Sequence, residues 1–157
     1  MAAGYTSMYL IADTAESIWT HRKLDFSSDP FASYLEFWGV MQAIVIQQDA
    51  ICELYNAVVS SSLPIIPKAS AWKQLRDLRT QCAGHPANRS RGVPKPQRSF
   101  MGRMRRTYAN VTYEMWDAHT RKTTHPSVNL GKLIDSYDIE ASQTLGVILQ
   151  TMKFKWP

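Results

Sequence analysis

The chain has 157 residues and a mass of 17.9 kDa, the size of a single domain, and at that length a core forms without disulfide or metal staples. Its composition, 45% hydrophobic and 20% charged, is that of a folded protein rather than a disordered one. Its two cysteines exclude a disulfide framework and an all-cysteine zinc site. No run of about 18 apolar residues occurs, which argues against a membrane span. Acidic Asp13 and Glu16 precede the first lysine or arginine, unlike a signal peptide, so the sequence reads as a cytoplasmic domain.

The net charge of +5 is unevenly spread. Residues 1–60 carry two basic and seven acidic side chains, residues 61–125 carry thirteen basic and three acidic, and residues 126–157 carry three of each. The basic character therefore belongs to the middle of the chain. Such a segment attracts phosphate backbones or pairs with the acidic N-terminal part.

In chain order, Met8, Ile11, Ala15 and Ile18 recur every three or four residues and predict an amphipathic helix over 7–21. Asp29 is a plausible N-cap with Pro30 in the first helical position, and a long helix is predicted over 30–60. It carries two apolar stripes. One runs through Tyr34, Trp38, Met41, Val45, Cys52, Tyr55 and Val59; the other runs through Phe31, Leu35, Val40, Ile44, Ile51, Leu54 and Val58. A helix apolar on two faces is buried on two faces, and a second copy of the chain is the simplest cover for the second. Gln47, Gln48 and Asp49 interrupt the stripes, either as a solvent-facing strip or as a polar pocket held inside an apolar surround.

The prolines of 60–67 break that helix. A third helix is predicted over 68–83, with Trp72, Leu75, Leu78 and Cys82 as its core stripe and Lys73, Arg76 and Arg79 on neighbouring faces. Gly84 and Pro86 end it beside His85. Residues 86–98 hold three prolines and four basic side chains, Arg89, Arg91, Lys95 and Arg98, the composition of a basic loop. Residues 108–116 alternate as a strand, which pairs with a shorter one near 99–104 to make a β-hairpin. Residues 117–127 read as a polar loop, and a last helix is predicted over 130–153. The fold class is thus mainly α, an up-and-down bundle of about four helices with a small β-hairpin insertion about 98–116, the whole of 1–157 being one domain.

Glycine-rich phosphate loops, HExxH and GxSxG are absent from the sequence. Cys82, His85, His119 and His125 have a loose zinc-like arrangement, but Cys82 falls on a core stripe and reads better as a small buried residue. No metal or cofactor is therefore expected. The informative stretch is residues 72–89, WKQLRDLRTQCAGHPANR, which places Arg79, five residues and His85 at the end of a helix. This resembles the R-x4–6-H motif of the HEPN superfamily, the higher eukaryote and prokaryote nucleotide-binding domains. The order of elements, a long helix with a polar patch, a helix ending in arginine and histidine, then a terminal helix, is similar as well. Thr80 stands where active members usually carry Asn, Asp or His, and Pro86 follows the histidine.

The resemblance implies a dimerising helical bundle acting as a metal-independent endoribonuclease, often in toxin or phage-defence systems. RNA or a nucleotide is then the ligand, and an antitoxin is a partner protein. Arg79 and His85 would be catalytic, and Arg76, Gln48, Asp49, Arg89, Arg91, Lys95 and Arg98 would hold substrate. A histidine titrating near neutrality moves the protons of RNA cleavage, and a forked guanidinium suits the phosphorane oxygens. In a continuous helix the two would stand about 120° and 9 Å apart, so the break at Gly84 is what would let His85 swing back. Two other readings stay open. In one, Arg79 pairs with Asp49 and His85 caps the helix end; in the other, the bundle is a non-enzymatic dimeric interaction module. Tyr108, Tyr113 and Trp116 are candidates for base stacking.

Overall fold

The structure, a computed structural model, describes residues 2–59, 64–84 and 97–156. Its longest helix starts where the sequence predicts. The Asp29 carboxylate accepts the N–H groups of Phe31 and Ala32 at 3.0 and 2.8 Å, and Pro30 occupies the first turn. This is helix α2, Pro30–Val58. Helix α1, Ala2–Leu24, precedes it and ends at Asp25, whose φ of 58° is the left-handed conformation that terminates a helix. The Asp25 carboxylate accepts the N–H groups of Phe26 and, from far along the chain, Tyr108. Helix α3 is Ala71–Arg79, α4 is Leu130–Lys155, and Asn129 caps α4 by accepting the Lys132 N–H.

The helices form the expected up-and-down bundle. Gln47 of α2 meets both Ile11 of α1 and Tyr137 of α4, Arg22 of α1 meets Asp135 of α4, and Lys155 of α4 reaches the Val58 carbonyl at the far end of α2. Helices α1 and α3 therefore run opposite to α2 and α4. Helix α2 packs against the other three, so the chain itself covers most of both apolar stripes. Val40, Ile44, Ile51, Leu54 and Val58 of one stripe and Met41 and Val45 of the other are buried. No second copy is needed at these positions. The part left open is the N-terminal end, where Phe31 and Leu35 are 61% and 67% exposed and Trp38 is 39% exposed.

Helix α3 begins three residues later than its periodicity suggests, because Ser70 caps it and α4 supplies a second cap. The Glu140 carboxylate accepts the N–H groups of Ala71 and Trp72 at 2.9 and 2.8 Å, one on each oxygen. The α-helix gives way at Thr80 to a π-helical turn, Thr80–Gly84.

The insertion is larger than one hairpin. Strand β1, Gln97–Phe100, pairs antiparallel with β3, Glu114–Asp117, which pairs with β4, Lys122–Thr124; a separate two-stranded sheet joins β2, Val111–Thr112, to β5, Ser127–Val128. Of the predicted strand over 108–116, Val111 and Tyr113 are buried and Met115 packs on the core as the alternation implies, whereas residues 107–110 form a turn in which Ala109 is exposed. The chain changes sheets at Tyr113, whose N–H is bonded to the Pro126 carbonyl. The segment read as a polar loop contributes β4 and β5. Every residue of β4 is exposed, and a solvent-facing edge strand leaves no apolar alternation to detect.

The insertion is pinned to α2 by Arg106, 1% exposed. Its guanidinium donates to the Ser33 hydroxyl at 3.0 Å and to the Pro30, Met101 and Gly102 carbonyls, and lies 4.9 Å from the Tyr34 ring centroid. Burial lowers its proton affinity, with Tyr34 acting the other way.

The Glu140 contact is open to a direct test. Hydrogen bonds to a charged group contribute about 1.5–3 kcal/mol, so Glu140→Ala should lower the unfolding free energy by about 2 kcal/mol in urea titrations. Glu140→Gln should recover a fraction of it.

Candidate phosphate-binding site

Two arginines of α3 face the polar patch of α2. Arg76 donates from Nε to Gln48 Oε1 at 3.1 Å, and its Nη2 is ion-paired with Asp49. Gln48 is fully buried, and its amide nitrogen donates to the Trp72 carbonyl at 3.0 Å. Gln47, also buried, accepts the Tyr137 hydroxyl at 2.9 Å; burial raises the pKa of that phenol and keeps it a donor. The patch is thus a polar pocket inside an apolar surround at Gln47 and Gln48, whereas Asp49 faces solvent with a side chain 61% exposed. Gln48, read from the sequence as a substrate contact, has both ends of its amide committed to the protein and serves to hold Arg76.

Arg79 lies one turn further along α3. It does not pair with Asp49, which Arg76 takes. Its Nη2 donates to Gln42 Oε1 at 2.9 Å, and among the described residues its buried Nε has no hydrogen-bond partner and no carboxylate is ion-paired with it. The π-helical turn explains why the guanidinium has room. In such a turn residue i+5 comes over residue i, and Gly84 comes over Arg79. A Cβ on Gly84 would stand 2.8 Å from Arg79 Nη1. Glycine here leaves the space that the guanidinium fills.

Gln42 was not found by sequence reasoning. The only signal was a polar residue within the apolar run of 38–46, one turn beyond Trp38. Trp38 itself donates from its indole N–H to the Cys82 carbonyl at 3.3 Å, which fastens the π-helical turn to α2. Cys82 is buried, as its stripe implies. The β-sheet leans on the same turn, since the Ser99 hydroxyl bonds to the Gln81 carbonyl and the Gln81 amide reaches Met115 Sδ at 3.1 Å.

His85, Arg89, Arg91 and Lys95 lie outside the described residues. Arg98 is exposed on β1, 5.4 Å from the centroid of its cross-strand neighbour Trp116, on the opposite face from Ser99. Tyr108 and Tyr113 are buried and belong to the core rather than to a stacking surface; Trp116 is the one of the three that keeps partial exposure. Among the described residues no three His, Cys, Asp or Glu side chains come together as a metal site. Among the described residues no helix is long and apolar enough to cross a membrane. Comparisons with family models, curated proteins and solved structures find no match for this chain.

The geometry separates the two partners of Arg76. Asp49 is its exposed partner, and such pairs contribute less than about 1 kcal/mol. Gln48 is its buried partner, and an orphaned buried acceptor costs about 1–3 kcal/mol. In thermal or chemical unfolding, Arg76→Ala should therefore destabilise clearly more than Asp49→Ala.

Proposed function

We propose that this chain binds RNA at the seam between α2 and α3 and cleaves it there without a metal ion, acting as a homodimer in the cytoplasm in the manner of the HEPN-like domains its motif resembles. The observation that carries the reading is Arg79, a guanidinium seated in the space left by Gly84, held by the neutral Gln42 and unpaired with any carboxylate among the described residues. Arg76, one turn earlier, differs in having Asp49 as a carboxylate partner, and Arg106 differs in being buried. A phosphate group would supply the missing charge and accept the forked donors.

In this reading Arg79 binds the scissile phosphate and stabilises the extra negative charge of the phosphorane. His85, six residues on, takes the proton of the 2′-hydroxyl or gives one to the leaving 5′-oxygen. Arg76 stands beside Arg79 with Asp49 and Gln48 fixing its direction, and Arg89, Arg91, Lys95 and Arg98 hold flanking phosphates. The chain buries the middle and C-terminal part of the two stripes, so a second copy would use apolar side chains that remain exposed, such as Phe31 and Leu35 of α2, Tyr5, Met8 and Tyr9 of α1 and Ile139, Val147 and Leu149 of α4.

One observation favours the second reading, a dimeric interaction module without catalysis. Thr80, at the position where active members usually carry a further polar group, donates its hydroxyl to the Arg76 carbonyl at 2.9 Å. A threonine engaged in that way offers a substrate little. The partner of such a module, or of a toxin of this kind, would be a protein such as an antitoxin.

Catalysis and scaffold separate at Arg79 and His85. His85→Ala should abolish cleavage of RNA in EDTA. Arg79→Ala should do the same with a stability loss of about 1 kcal/mol or less, since no carboxylate is stranded, and Arg79→Lys should rescue poorly. Wild-type protein that binds but leaves RNA intact would assign the chain to the module reading. Sedimentation should give about 36 kDa, twice 17.9 kDa; a monomer at micromolar concentration would remove the dimer from the proposal.

A further inference from the structure

Helices α1 and α4 both lie along α2, yet they pack far less on each other than on it. The gap between them is a cleft of about 300 Å3. Gln47 and Ile51 of α2 form its floor, with Ile18 of α1 and Leu145 of α4 at its sides. Ala15 on α1 and Ala141 on α4 also line it, and side chains that small leave the space unfilled. Charge is confined to the rim. Arg22 is ion-paired with Asp135 at 2.7 Å and stands 3.8 Å from Asp138, and the Lys23 ammonium lies 3.0 Å from the ring centroid of Trp19. These four charges balance, so the rim offers a ligand no net charge to answer.

The floor does offer something. Gln47 is only 7% exposed. Its Oε1 accepts the Tyr137 hydroxyl at 2.9 Å, and its amide nitrogen donates to the Ile11 carbonyl across 3.4 Å. That nitrogen carries two protons, and the second has no acceptor among the described residues. Buried donors are seldom left so.

We infer that this cleft is a binding site for a small neutral molecule, an apolar body with one hydrogen-bond acceptor that takes the spare Gln47 N–H. Apolar walls with one or two placed polar groups are how small-molecule pockets are built, and the volume is at the lower end of their range of about 300–1,000 Å3. An apolar cavity of about 150 Å3 already takes up benzene. Water is a poor occupant, because a buried water makes about three hydrogen bonds and the walls around Gln47 are aliphatic. A charged ligand would lose its hydration without gaining a counter-ion. No residue of the cleft belongs to the Arg79 site, so the inference is independent of the RNA reading.

The test uses four probes on one skeleton: acetophenone, ethylbenzene, benzoate and 1-phenylethylamine. Each is titrated to about 1 mM into the wild-type protein and followed in 1H–15N NMR spectra. Acetophenone should bind roughly 2- to 12-fold tighter than ethylbenzene, the worth of one net hydrogen bond, and should shift the Gln47 side-chain amide. Benzoate and 1-phenylethylamine should bind at least tenfold more weakly than acetophenone. Ala141→Leu should fill the cleft and weaken acetophenone at least tenfold. Ala15→Leu, on an exposed position, should do the same where a buried leucine upsets folding. Equal affinity for acetophenone and ethylbenzene would remove the role of Gln47 and with it the inference. A charged probe that binds as tightly as the ketone also overturns it, as does binding that survives both leucine variants. No shift from any probe would leave the cleft a packing gap and end the proposal.

Discussion

Two consecutive glutamines hold the centre of the molecule. Gln47 and Gln48 are buried in the middle of α2, where an unbonded amide would cost several kcal/mol. Gln47 is held by Tyr137 of α4 and the Ile11 carbonyl of α1, and Gln48 by Arg76 and the Trp72 carbonyl of α3. Four polar contacts thus fix α2 against all three neighbours. Amide contacts are directional, so a slide of α2 by part of a turn would break them. The register set at these two residues places Arg76 beside Asp49 and Arg79 beside Gln42, and so decides which of the two arginines is paired with a carboxylate.

Much of the scaffold was legible in the sequence because it is written in local rules. The start of α2 needs only Asp29 and Pro30, and the inward set of α4 needs only its spacing. The polar interruption at Gln47–Asp49 was visible as a break in two stripes. What could not be read was pairing between distant elements. The charge of Arg79 admits Asp49 or Gln42 equally well on paper, and only the packing angle of α3 on α2 separates them. The same holds for the cover of α2: two apolar faces require two covers, and periodicity does not say whether those come from one chain or two.

The insertion was the least legible part. Its strands are two to four residues long, short enough that turns and tertiary bonds decide their partners rather than composition. Tyr113, whose N–H bonds to the Pro126 carbonyl, stands where the chain passes from one sheet to the other. Arg106, which counts in the sequence as one more positive charge of a basic segment, is spent on holding that segment to α2. Net charge overstates the cationic surface whenever an arginine is buried in this way.

The carboxylate of Asp25 ties together events far apart in the chain. It closes the connection between α1 and α2 through the Phe26 N–H and receives the Tyr108 N–H across 83 residues. The hairpin of α1 and α2 consists of local contacts and can assemble early, while a loop of that length closes slowly. Contact order alone would therefore have the insertion dock on α1 and α2 after those two helices pair, with the Asp25 carboxylate as the point where the two stages meet.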